Sequence, residues 1–534
     1  MTICIAEKPS VAREIAHILG ANTRKDGYLE GNGYAVTWTF GHFCTLKTPD
    51  DYRPEWKKWD INSLPILPDK FETKLISNKG VKKQFGIIKK LLKKATLVIN
   101  CGDAGQEGEL IQRWVLRAAG YKGATQRLWI SSLTAQAIRS GFQNLQPAAN
   151  FDRLYYAGSS RAIGDWLLGM NATRLYTLKY GGYKQVLSIG RVQTPTLAMI
   201  VARHHEIENF KPEPYWELHT IYRKVDFLYE KGRFQNEEDG KALLEKITGK
   251  PFTILSFEKK KGREYPPRLF DLTALQVFCN KRFSFSANQT LDLVQALYEK
   301  KVVTYPRVDT AYLPNDVYPK VEGILCQLTN YGEYTQTLLG KPIRKSSKVF
   351  NDKKVTDHHA IIPTGEQKNM NPNEQKVYDV ITRRFIAAFY PDCIVSNITV
   401  IGEVEGLRFK ATGKEILEEG WRVLFPNEKK KNTSNGKGQH KDSEALLPHF
   451  EIGESGDHEP TLLNKMTQPP KHYSEASLLR AMETAGKKVD DEELRELMKA
   501  NGIGRPSTRA NIIETLFRRQ YIRKNKKQLL ATSI

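Results

Sequence analysis

The first 150 residues alternate between short apolar runs and amphipathic segments, a pattern typical of a mainly parallel sheet with helices packed on it. Residues 2–6, 35–40 and 96–100 are the apolar runs, and each predicts a strand. A segment with helical periodicity follows the first run, and Gly20 stands where that helix should stop. Because ligands of such sheets bind beyond the carboxyl ends of the strands, we expect a site there.

Acidic residues follow two of these predicted strands. Glu7 comes directly after the first, and Asp103 and Glu107 come shortly after the third. Converging carboxylates are the ligands that Mg²⁺ prefers, so the pattern predicts a magnesium site. An alternative is that the acids stabilise helix N-termini, where negative charge is favoured, and for Glu107 and Glu109 both interpretations stay open.

A tyrosine in the middle of the chain has the surroundings of a nucleophile. Ser286 and Gln289 form a capping-box pair at the start of a predicted helix, and that helix must stop before Pro306. Tyr305 therefore leaves the helix in extended backbone, with Arg307 two residues further on. A hydroxyl beside a phosphate-binding guanidinium suits phosphoryl transfer. A packing role is the alternative, since the chain has 23 tyrosines.

The length of 534 residues predicts three or four domains. Alternating polar and apolar residues predict β-structure on both sides of a helical insert that carries Tyr305. Residues 293–303 also align with 512–522, which indicates two copies of a winged-helix-like unit. Residues 426–458 are polar and predict a loop or linker. The predicted domains are an α/β domain (1–150), a β-rich domain (213–270 with 393–460) and two helical domains (271–392, and 151–212 with 461–534).

The net charge of +22 and pI near 9.5 indicate a polyanionic partner, most simply nucleic acid. A protein that binds membrane surfaces would concentrate its charge in a tail or one amphipathic helix, whereas here the charge is spread along the chain. The six cysteines are scattered singly, so neither a zinc ribbon nor a disulfide framework is indicated. We expect a cytoplasmic protein without membrane spans.

Several motifs resemble those of one family. Residues 304–310, Thr-Tyr-Pro-Arg-x-Asp-Thr, resemble the active-site signature of type IA DNA topoisomerases. Glu-Lys-Pro-Ser at 7–10 and Gly-Asp-x-x-x-Glu-Gly-Glu at 102–109 resemble the Toprim domain of that family. Residues 188–196 and 358–363, and the segments 474–479 and 502–510, resemble further family motifs. The motifs occur in family order, closest to the topoisomerase III branch.

The resemblance implies a torus of a Toprim head, a β-rich arch and two winged-helix-like domains, with a hole that admits duplex DNA. It implies transient, ATP-independent cleavage of one strand through a 5′-phosphotyrosine on Tyr305, followed by strand passage and religation. Arg307 and Lys8 would neutralise charge on the phosphate, and His358 would contact it. Glu7, Asp103 and Glu107 would hold Mg²⁺, with Glu7 also in the catalytic group. We expect a monomer, with a helicase as a possible partner.

The resemblance also places a DNA path on residues 151–212. Arg161, Arg174 and Arg191 would contact backbone phosphates, and Gln193 a base edge or sugar. Ser188 and Thr194 belong to the same motif. Ordinary surface arginines are the alternative for Arg161 and Arg174, and a structural histidine is the alternative for His358.

One departure from the family concerns the metal site. The family pattern is Asp-x-Asp-x-Glu, whereas this chain has Gly105 in place of the middle acid and Gln106 where arginine is common. The pattern therefore predicts fewer carboxylates for a divalent ion. Two other functions are alternatives: a Toprim primase, which would not explain Tyr305, and a non-catalytic single-stranded-DNA-binding protein, which would explain only the charge.

Overall fold

A computed structural model describes residues 1–130, 133–355, 358–426, 447–485 and 502–534. Most of the polar segment predicted as a linker, residues 427–446, lies outside this set. Among the described residues, no helix combines the length and the apolar character that a membrane crossing requires.

The N-terminal unit is a seven-stranded sheet with helices on both sides. Its strands are β1 (Thr2–Ala6), β2 (Thr23–Lys25), β3 (Tyr28–Gly31), β4 (Tyr34–Trp38), β7 (Leu97–Cys101), β8 (Thr125–Arg127) and β9 (Gln146–Pro147), while β5 (Cys44–Leu46) and β6 (Thr73–Leu75) form a separate hairpin. Its helices are α1 (Pro9–Leu19), α2 (Pro49–Tyr52), α3 (Lys79–Leu92), α4 (Gln106–Ala119) and α5 (Ala135–Gln143).

Parallel pairing at the centre of this sheet brings the predicted acids together. The strand order is β2-β3-β4-β1-β7-β8-β9, with β4, β1, β7 and β8 parallel. The strand prediction for residues 2–6 is confirmed, and Gly20 ends α1 with a left-handed φ of 76°. Because β1 and β7 are neighbours, the residues that follow them, Glu7 and Asp103, lie at the same edge of the sheet.

A second seven-stranded sheet is antiparallel. It contains β10 (Pro214–Tyr222), β11 (Val225–Phe234), β12 (Phe252–Glu264), β13 (Cys393–Val404), β14 (Leu407–Glu418), β15 (Ser455–Gly456) and β16 (Glu459–Met466), with α8 (Glu237–Ile247) beside it. Buried aromatic rings, among them Phe227, Phe252 and Phe409, form its core. The predicted boundary between residues 460 and 461 falls inside β16, because that strand pairs with β10 as far as Met466.

The helical insert lies between β12 and β13. Its helices are α9 (Leu272–Phe283), α10 (Ala287–Glu299), α11 (Val321–Gln327), α12 (Gly332–Thr335) and α13 (Pro372–Ala387). Ser286 caps α10 by accepting a hydrogen bond from the Gln289 amide at 3.0 Å, as predicted. Beyond α10, the Thr304 amide donates to the Ile362 carbonyl at 3.0 Å, so Tyr305 lies beside the segment that contains His358.

The remaining helical part comes from two stretches of chain. It contains α6 (Asp152–Tyr180), α7 (Gln193–Glu208), α14 (Glu475–Thr484), α15 (Pro506–Arg518) and a hairpin of β17 (Ile522–Asn525) and β18 (Gln528–Ala531). The internal repeat predicted a winged-helix-like unit here, and α15 followed by the β17–β18 hairpin agrees with the order of elements in such a unit. One apolar core contains side chains from the first sheet and from the insert, including Ile99 and Leu297, and so fixes Tyr305 against the sheet edge.

Candidate active site

Tyr305 lies where the helical insert meets the first sheet. Its side chain is 8% exposed, and its ring centroid is 4.3 Å from that of His358 and 5.4 Å from that of Tyr298. Its hydroxyl lies near the Asp103 carboxylate, and the two side chains line the same cleft. Burial raises the pKa of Tyr305 well above its usual range and the Asp103 charge raises it further, whereas Arg307 lowers it. The phenol therefore keeps its proton until a neighbouring group takes it.

Glu7 and Asp103 form a pair of adjacent carboxyl groups. The Asp103 amide donates to Glu7 Oε2 at 3.2 Å. Burial and the charge of Asp103 raise the pKa of Glu7 to about 7, against the lowering effect of Arg307 and Lys8. Burial also raises the pKa of Asp103, while Lys8 and Arg307 lower it. A buried and a partly buried acid this close favour sharing a proton or binding a cation.

Arg127 holds the loop that carries Asp103. It is fully buried and pairs with the equally buried Glu109 at 2.9 Å. Its guanidinium donates to the carbonyl oxygens of Gly102 and Asp103, each at 2.7 Å, and to that of Asn100 at 3.1 Å. Glu109 lies in the first turn of α4, as the helix-terminus alternative predicted, and a structural ion pair with Arg127 holds it there.

The three predicted metal ligands do not come together in this structure, because Glu107 has other partners. Arg161 and His42 both pair with Glu107, the histidine at 3.2 Å. Within the described part of the chain, no three histidine, cysteine or acidic side chains are grouped closely enough to hold an ion. Glu7 and Asp103 remain adjacent, and two mutually repelling carboxylates fit a single hard cation.

Lys8 and Arg307 supply positive charge to these acids. Both lower the pKa of Glu7 and of Asp103, which places their charges close to the pair. Lys8 also pairs with Glu299, the last residue of α10, at 2.9 Å. Arg307 lines the cleft beside Tyr305. Both predicted residues are therefore near the position that a phosphate would take at the Tyr305 hydroxyl.

His358 is a buried, neutral side chain in this arrangement. Burial lowers the pKa of His358 to about 4. Its Nε2 donates to the Ala104 carbonyl, and its ring packs on those of Tyr305 and Trp129. These contacts fix the position of Tyr305 against the loop after β7.

Three arginines surround the open side of the cleft. Arg161 and Arg505 line it, and Arg191 lies near enough to act on Arg161. Burial lowers the pKa of Arg161, and the charges of Arg505 and Arg191 lower it further. Arg191 pairs with Asp165 at 2.9 Å and is half-exposed. Mutually repelling guanidinium groups at one cleft attract a polyanion.

The motif at 188–194 folds on itself. Gln193 is buried, and its Nε2 donates to the Ser188 carbonyl at 2.6 Å and to the Ser188 hydroxyl at 3.1 Å. The Gly190 amide donates to the Thr194 hydroxyl at 3.0 Å. The Ser188 amide donates to the Tyr521 hydroxyl at 2.6 Å. Ser188, Gln193 and Thr194 thus shape the loop that presents Arg191.

The prediction that Arg174 contacts DNA phosphates is not supported by its position. Arg174 is buried, donates to the Trp56 carbonyl at 2.8 Å, and lies 5.3 Å from the centre of the Trp59 ring. Its guanidinium therefore links α6 to the segment that contains Trp56 and Trp59. Because Arg174 is buried, the alternative that it is an ordinary surface arginine is excluded as well.

Three residues near the acids were not singled out from the sequence. Arg505 lies within the segment 502–510, which resembles a family motif, so a signal for it existed. Arg127 is a single arginine at the end of a short strand, and His42 is a single histidine in a loop. Their partners, Glu109 and Glu107, lie far from them along the chain, so no local pattern reveals either pair.

Comparison with known families covers nearly the whole chain. A family model described as DNA topoisomerase matches residues 149–534, and a model described as Toprim domain matches residues 2–133. The first match contains Tyr305, Arg307 and His358, and the second contains Glu7 and Asp103.

Individual proteins show the same similarity. DNA topoisomerase 3 of Bacillus cereus is 37% identical over 557 aligned positions, which cover all of this chain and 74% of that protein. DNA topoisomerase 3 of Bacillus subtilis strain 168 is 36% identical over 551 positions, with the same coverage. The structure of full-length topoisomerase I from Thermotoga maritima superimposes with a TM-score of 0.73 and 23% identity over 99% of this chain and 80% of that one. That structure shows a shared fold.

Proposed function

The chain belongs to the type IA DNA topoisomerase family, and we propose that it cleaves one DNA strand through Tyr305, passes DNA through the break and reseals it. The observation that carries the proposal is the position of the Tyr305 hydroxyl at the Asp103 carboxylate in one cleft, beside Glu7 and within the field of Arg307. A primase would share only the Toprim part, whereas the topoisomerase match covers residues 149–534. A purely DNA-binding protein would not need this buried phenol and carboxylate.

Cleavage is a transesterification. The Tyr305 oxygen bonds to a backbone phosphorus, the bond from phosphorus to the 3′ oxygen breaks, and the 5′ end stays attached to the enzyme. Asp103 lies near the phenol in the cleft and would receive its proton. Glu7 lies beside Asp103 and would protonate the leaving 3′ oxygen. Arg307 and Lys8 neutralise charge that develops on the phosphate.

Resealing reverses these steps. The free 3′ hydroxyl attacks the phosphotyrosine, so the bond energy is retained and ATP is not needed. Consistently, the sequence contains no Gly-x-x-x-x-Gly-Lys-[Ser/Thr] loop. Glu7 and Asp103 would hold one Mg²⁺, whose positive charge helps to align the phosphate and the 3′ end when the ion is bound.

For the whole molecule, we propose a ring with a Toprim head, the antiparallel sheet as an arch, and two winged-helix-like units. Arg161, Arg191 and Arg505 would hold the phosphates of the cleaved strand at the head, and a duplex would pass through the ring. Because one chain supplies every residue of the site, we propose a monomer in the cytoplasm that acts on unpaired DNA, which a helicase can supply. Removal of negative supercoils and decatenation both follow from this strand passage.

Trapping a covalent complex tests the proposal. Denaturing the enzyme during reaction with end-labelled single-stranded DNA should leave a 5′-linked protein–DNA product. Tyr305→Phe should form none, because the nucleophilic oxygen is missing, yet should bind the same DNA within a few-fold, since affinity comes mainly from phosphate contacts. Tyr298→Phe, which changes the neighbouring buried ring, should keep the covalent product. A covalent product from Tyr305→Phe would show that the nucleophile is another residue.

A further inference from the structure

Helix α3 of the N-terminal unit presents lysines along one whole face. Residues 79–94 contain seven lysines and neither aspartate nor glutamate. By helical periodicity, six of these lysines lie within about 120° of the helix circumference. We call this exposed set the lysine stripe, and its members are Lys79, Lys82, Lys83, Lys89, Lys90 and Lys93. Because like charges this close repel one another, the stripe favours an anionic partner.

The opposite face of α3 is buried, which fixes the direction in which the stripe points. Val81, Phe85 and Ile88 belong to the same core as Val98 of β7. Ile99, the next residue of β7, belongs instead to the core that the first sheet shares with the helical insert. Because neighbouring residues of a strand point to opposite faces, α3 lies on the face of the sheet away from that shared core.

The C-terminal end of the stripe lies at the edge of the sheet opposite the cleft. The Thr96 amide donates to the Met1 carbonyl at 3.0 Å, just before β7 and β1 begin. Asp103 follows the other end of β7, and a strand of five residues is about 16 Å long. The stripe therefore belongs to a surface separate from the cleft and from residues 151–212.

The turn between β2 and β3 adds positive charge beside the stripe. Gln84 of α3 donates to a carbonyl of this turn at 2.8 Å, so the turn packs on the helix. Arg24 and Lys25 of β2 are exposed. Lys83 pairs with Asp26 at 3.0 Å, and within the described part of the chain no other stripe lysine has an ion pair. Most of the positive charge on this surface is therefore uncompensated.

A glycine lies at the centre of the stripe. By helical periodicity, Gly86 is in the middle of the lysine face, about one turn from both Lys82 and Lys90. Apart from its chain neighbours and the helix backbone, no atom of the described residues lies within 4 Å of the position that its Cβ would take. Glycine weakens a helix interior relative to alanine, and packing does not require it here. Its lack of a side chain does let a ligand backbone approach the helix between the lysines.

The composition of the stripe favours a duplex among anionic partners. Single-strand sites add aromatic rings for base stacking, yet no exposed large apolar side chain of the described residues lies within 79–94. A helix that lies on a membrane exposes its apolar face, whereas that of α3 is buried. Lysine is depleted at the centre of protein–protein interfaces. A duplex needs only phosphate contacts, and the stripe, about 21 Å long, spans about six base pairs.

We propose that the lysine stripe binds the backbone of duplex DNA outside the cleft, so that the enzyme holds a double-stranded segment while a single strand occupies the site of Tyr305. This inference rests on the proposed function for the identity of the polyanion as DNA, and it goes beyond that function by assigning a second site. Binding is independent of sequence, because the lysines contact phosphates only. The stripe takes no part in cleavage.

Duplex binding measured against salt concentration tests this inference. The probes for fluorescence anisotropy are a duplex of about 20 base pairs closed by a loop at each end, and a single strand of about six nucleotides that fills the cleft. Lys82→Gln/Lys90→Gln/Lys93→Gln should weaken duplex binding at least about tenfold at low salt. It should also lower the slope of log affinity against log salt by up to about 2.7, at about 0.9 per phosphate contact. Binding and cleavage of the short single strand should stay within about twofold of wild type.

Matched variants separate a local site from overall charge and from folding. Lys231→Gln/Lys246→Gln/Lys250→Gln removes the same charge from exposed lysines beside the second sheet, and should change duplex affinity less than about twofold. Gly86→Glu puts a carboxylate between the stripe lysines and should weaken duplex binding at least about fivefold. Its melting temperature should not fall, because glutamate is the better helix former and can pair with Lys82 and Lys90. Gly86→Gln, the neutral control, should weaken duplex binding less.

Three results would overturn the inference. The first is wild-type duplex affinity of both the triple stripe variant and Gly86→Glu. The second is equal weakening of the short single strand, which would assign the stripe to the strand that enters the cleft. The third is unchanged duplex binding together with lost binding to phosphatidylserine vesicles, which would assign the stripe to a membrane surface. Covalent cleavage by the wild-type enzyme is measured separately, and its absence would contradict the proposed function without changing the duplex measurement.

Discussion

Gly105 is the residue at which this chain departs from the Asp-x-Asp-x-Glu pattern, and its backbone would accept a side chain. It is the N-cap of α4 with φ 165° and ψ 174°, which is extended backbone that any residue adopts. A Cβ at this position would meet no atom of the described residues within 4 Å. The missing carboxylate can therefore be restored without strain, in the cleft that Asp103 also lines.

We expect Gly105→Asp to lower the Mg²⁺ concentration that religation requires by about tenfold, or ~1.4 kcal/mol of ion affinity. The physical reason is the added negative charge next to two carboxylates that already fit one hard cation. Religation of the trapped complex across a Mg²⁺ titration measures the shift. Mn²⁺ binding to the protein without DNA, followed by calorimetry, gives a second readout.

Gly105→Asn is the matched control for this change. Asparagine caps a helix N-terminus about as well as aspartate but carries no charge. Both variants should therefore gain helix stability, and only Gly105→Asp should change the metal titration. Identical Mg²⁺ curves for the two variants would show that the absent acid does not limit this site.

Arg127 is the residue on which the position of Asp103 depends. We expect Arg127→Met to destabilise the protein by about 3–5 kcal/mol, because the buried Glu109 loses a partner. The change should also abolish cleavage, because the carbonyls of Asn100, Gly102 and Asp103 lose this donor. Chemical unfolding and covalent trapping measure the two effects.

Arg174→Met removes another buried arginine and serves as the control. It should lower stability while keeping cleavage and DNA affinity. Lost cleavage in this variant would contradict the structural role that we assign to Arg174.

At the scale of elements, two ion pairs join the N-terminal unit to the end of α10. Lys301 pairs with Glu14 of α1 at 2.5 Å, and Lys8 pairs with Glu299 at 2.9 Å. After cleavage, the 5′ end of the DNA would stay attached to the helical insert through Tyr305. The 3′ end would stay at the N-terminal Toprim unit. Strand passage then requires the two units to separate, so these ion pairs must break.

We expect Glu14→Gln to speed plasmid relaxation by up to about fivefold at low salt, since a partly exposed pair contributes up to about 1 kcal/mol. Cleavage of short single-stranded DNA should stay at the wild-type rate, because Glu14 is outside the site. Asp26→Asn removes a more exposed pair with Lys83 in the same unit and serves as the control. Equal relaxation rates for Glu14→Gln and wild type would show that breaking this pair does not limit opening.

At the scale of the whole molecule, the cleft predicts which DNA can react. Tyr305 is buried, so a phosphate must enter a narrow space between the insert and the head, and an unpaired strand can do so. Opening a duplex costs about 1.4 kcal/mol per base-pair step, which negative supercoiling offsets. We expect relaxation of negatively supercoiled or bubble-containing plasmids and none of positively supercoiled DNA, measured on agarose gels. Equal rates on both substrates would contradict cleavage of a single strand.

The sequence by itself was sufficient for features with short-range signals. Apolar runs and caps predicted β1, α1 and α10, and the family motifs predicted that Glu7, Asp103 and Tyr305 lie together. The structure agrees with these predictions because periodicity, capping and parallel strand pairing depend on neighbouring residues or on a simple sheet rule. The boundary at residue 460 was wrong because β16 is defined by its pairing with β10, a strand from a much earlier part of the chain.

Only the tertiary structure decided which charged groups are available for chemistry. Glu107 and Glu109 look equivalent along the chain, yet one is held by Arg161 and His42 and the other by Arg127. Arg174 and Arg191 look equally basic, yet one is buried against Trp56 and the other is half-exposed beside the cleft. The physical reason is that the role of a charge is set by its burial and by the opposite charge nearest to it, and folding brings those partners from distant parts of the chain.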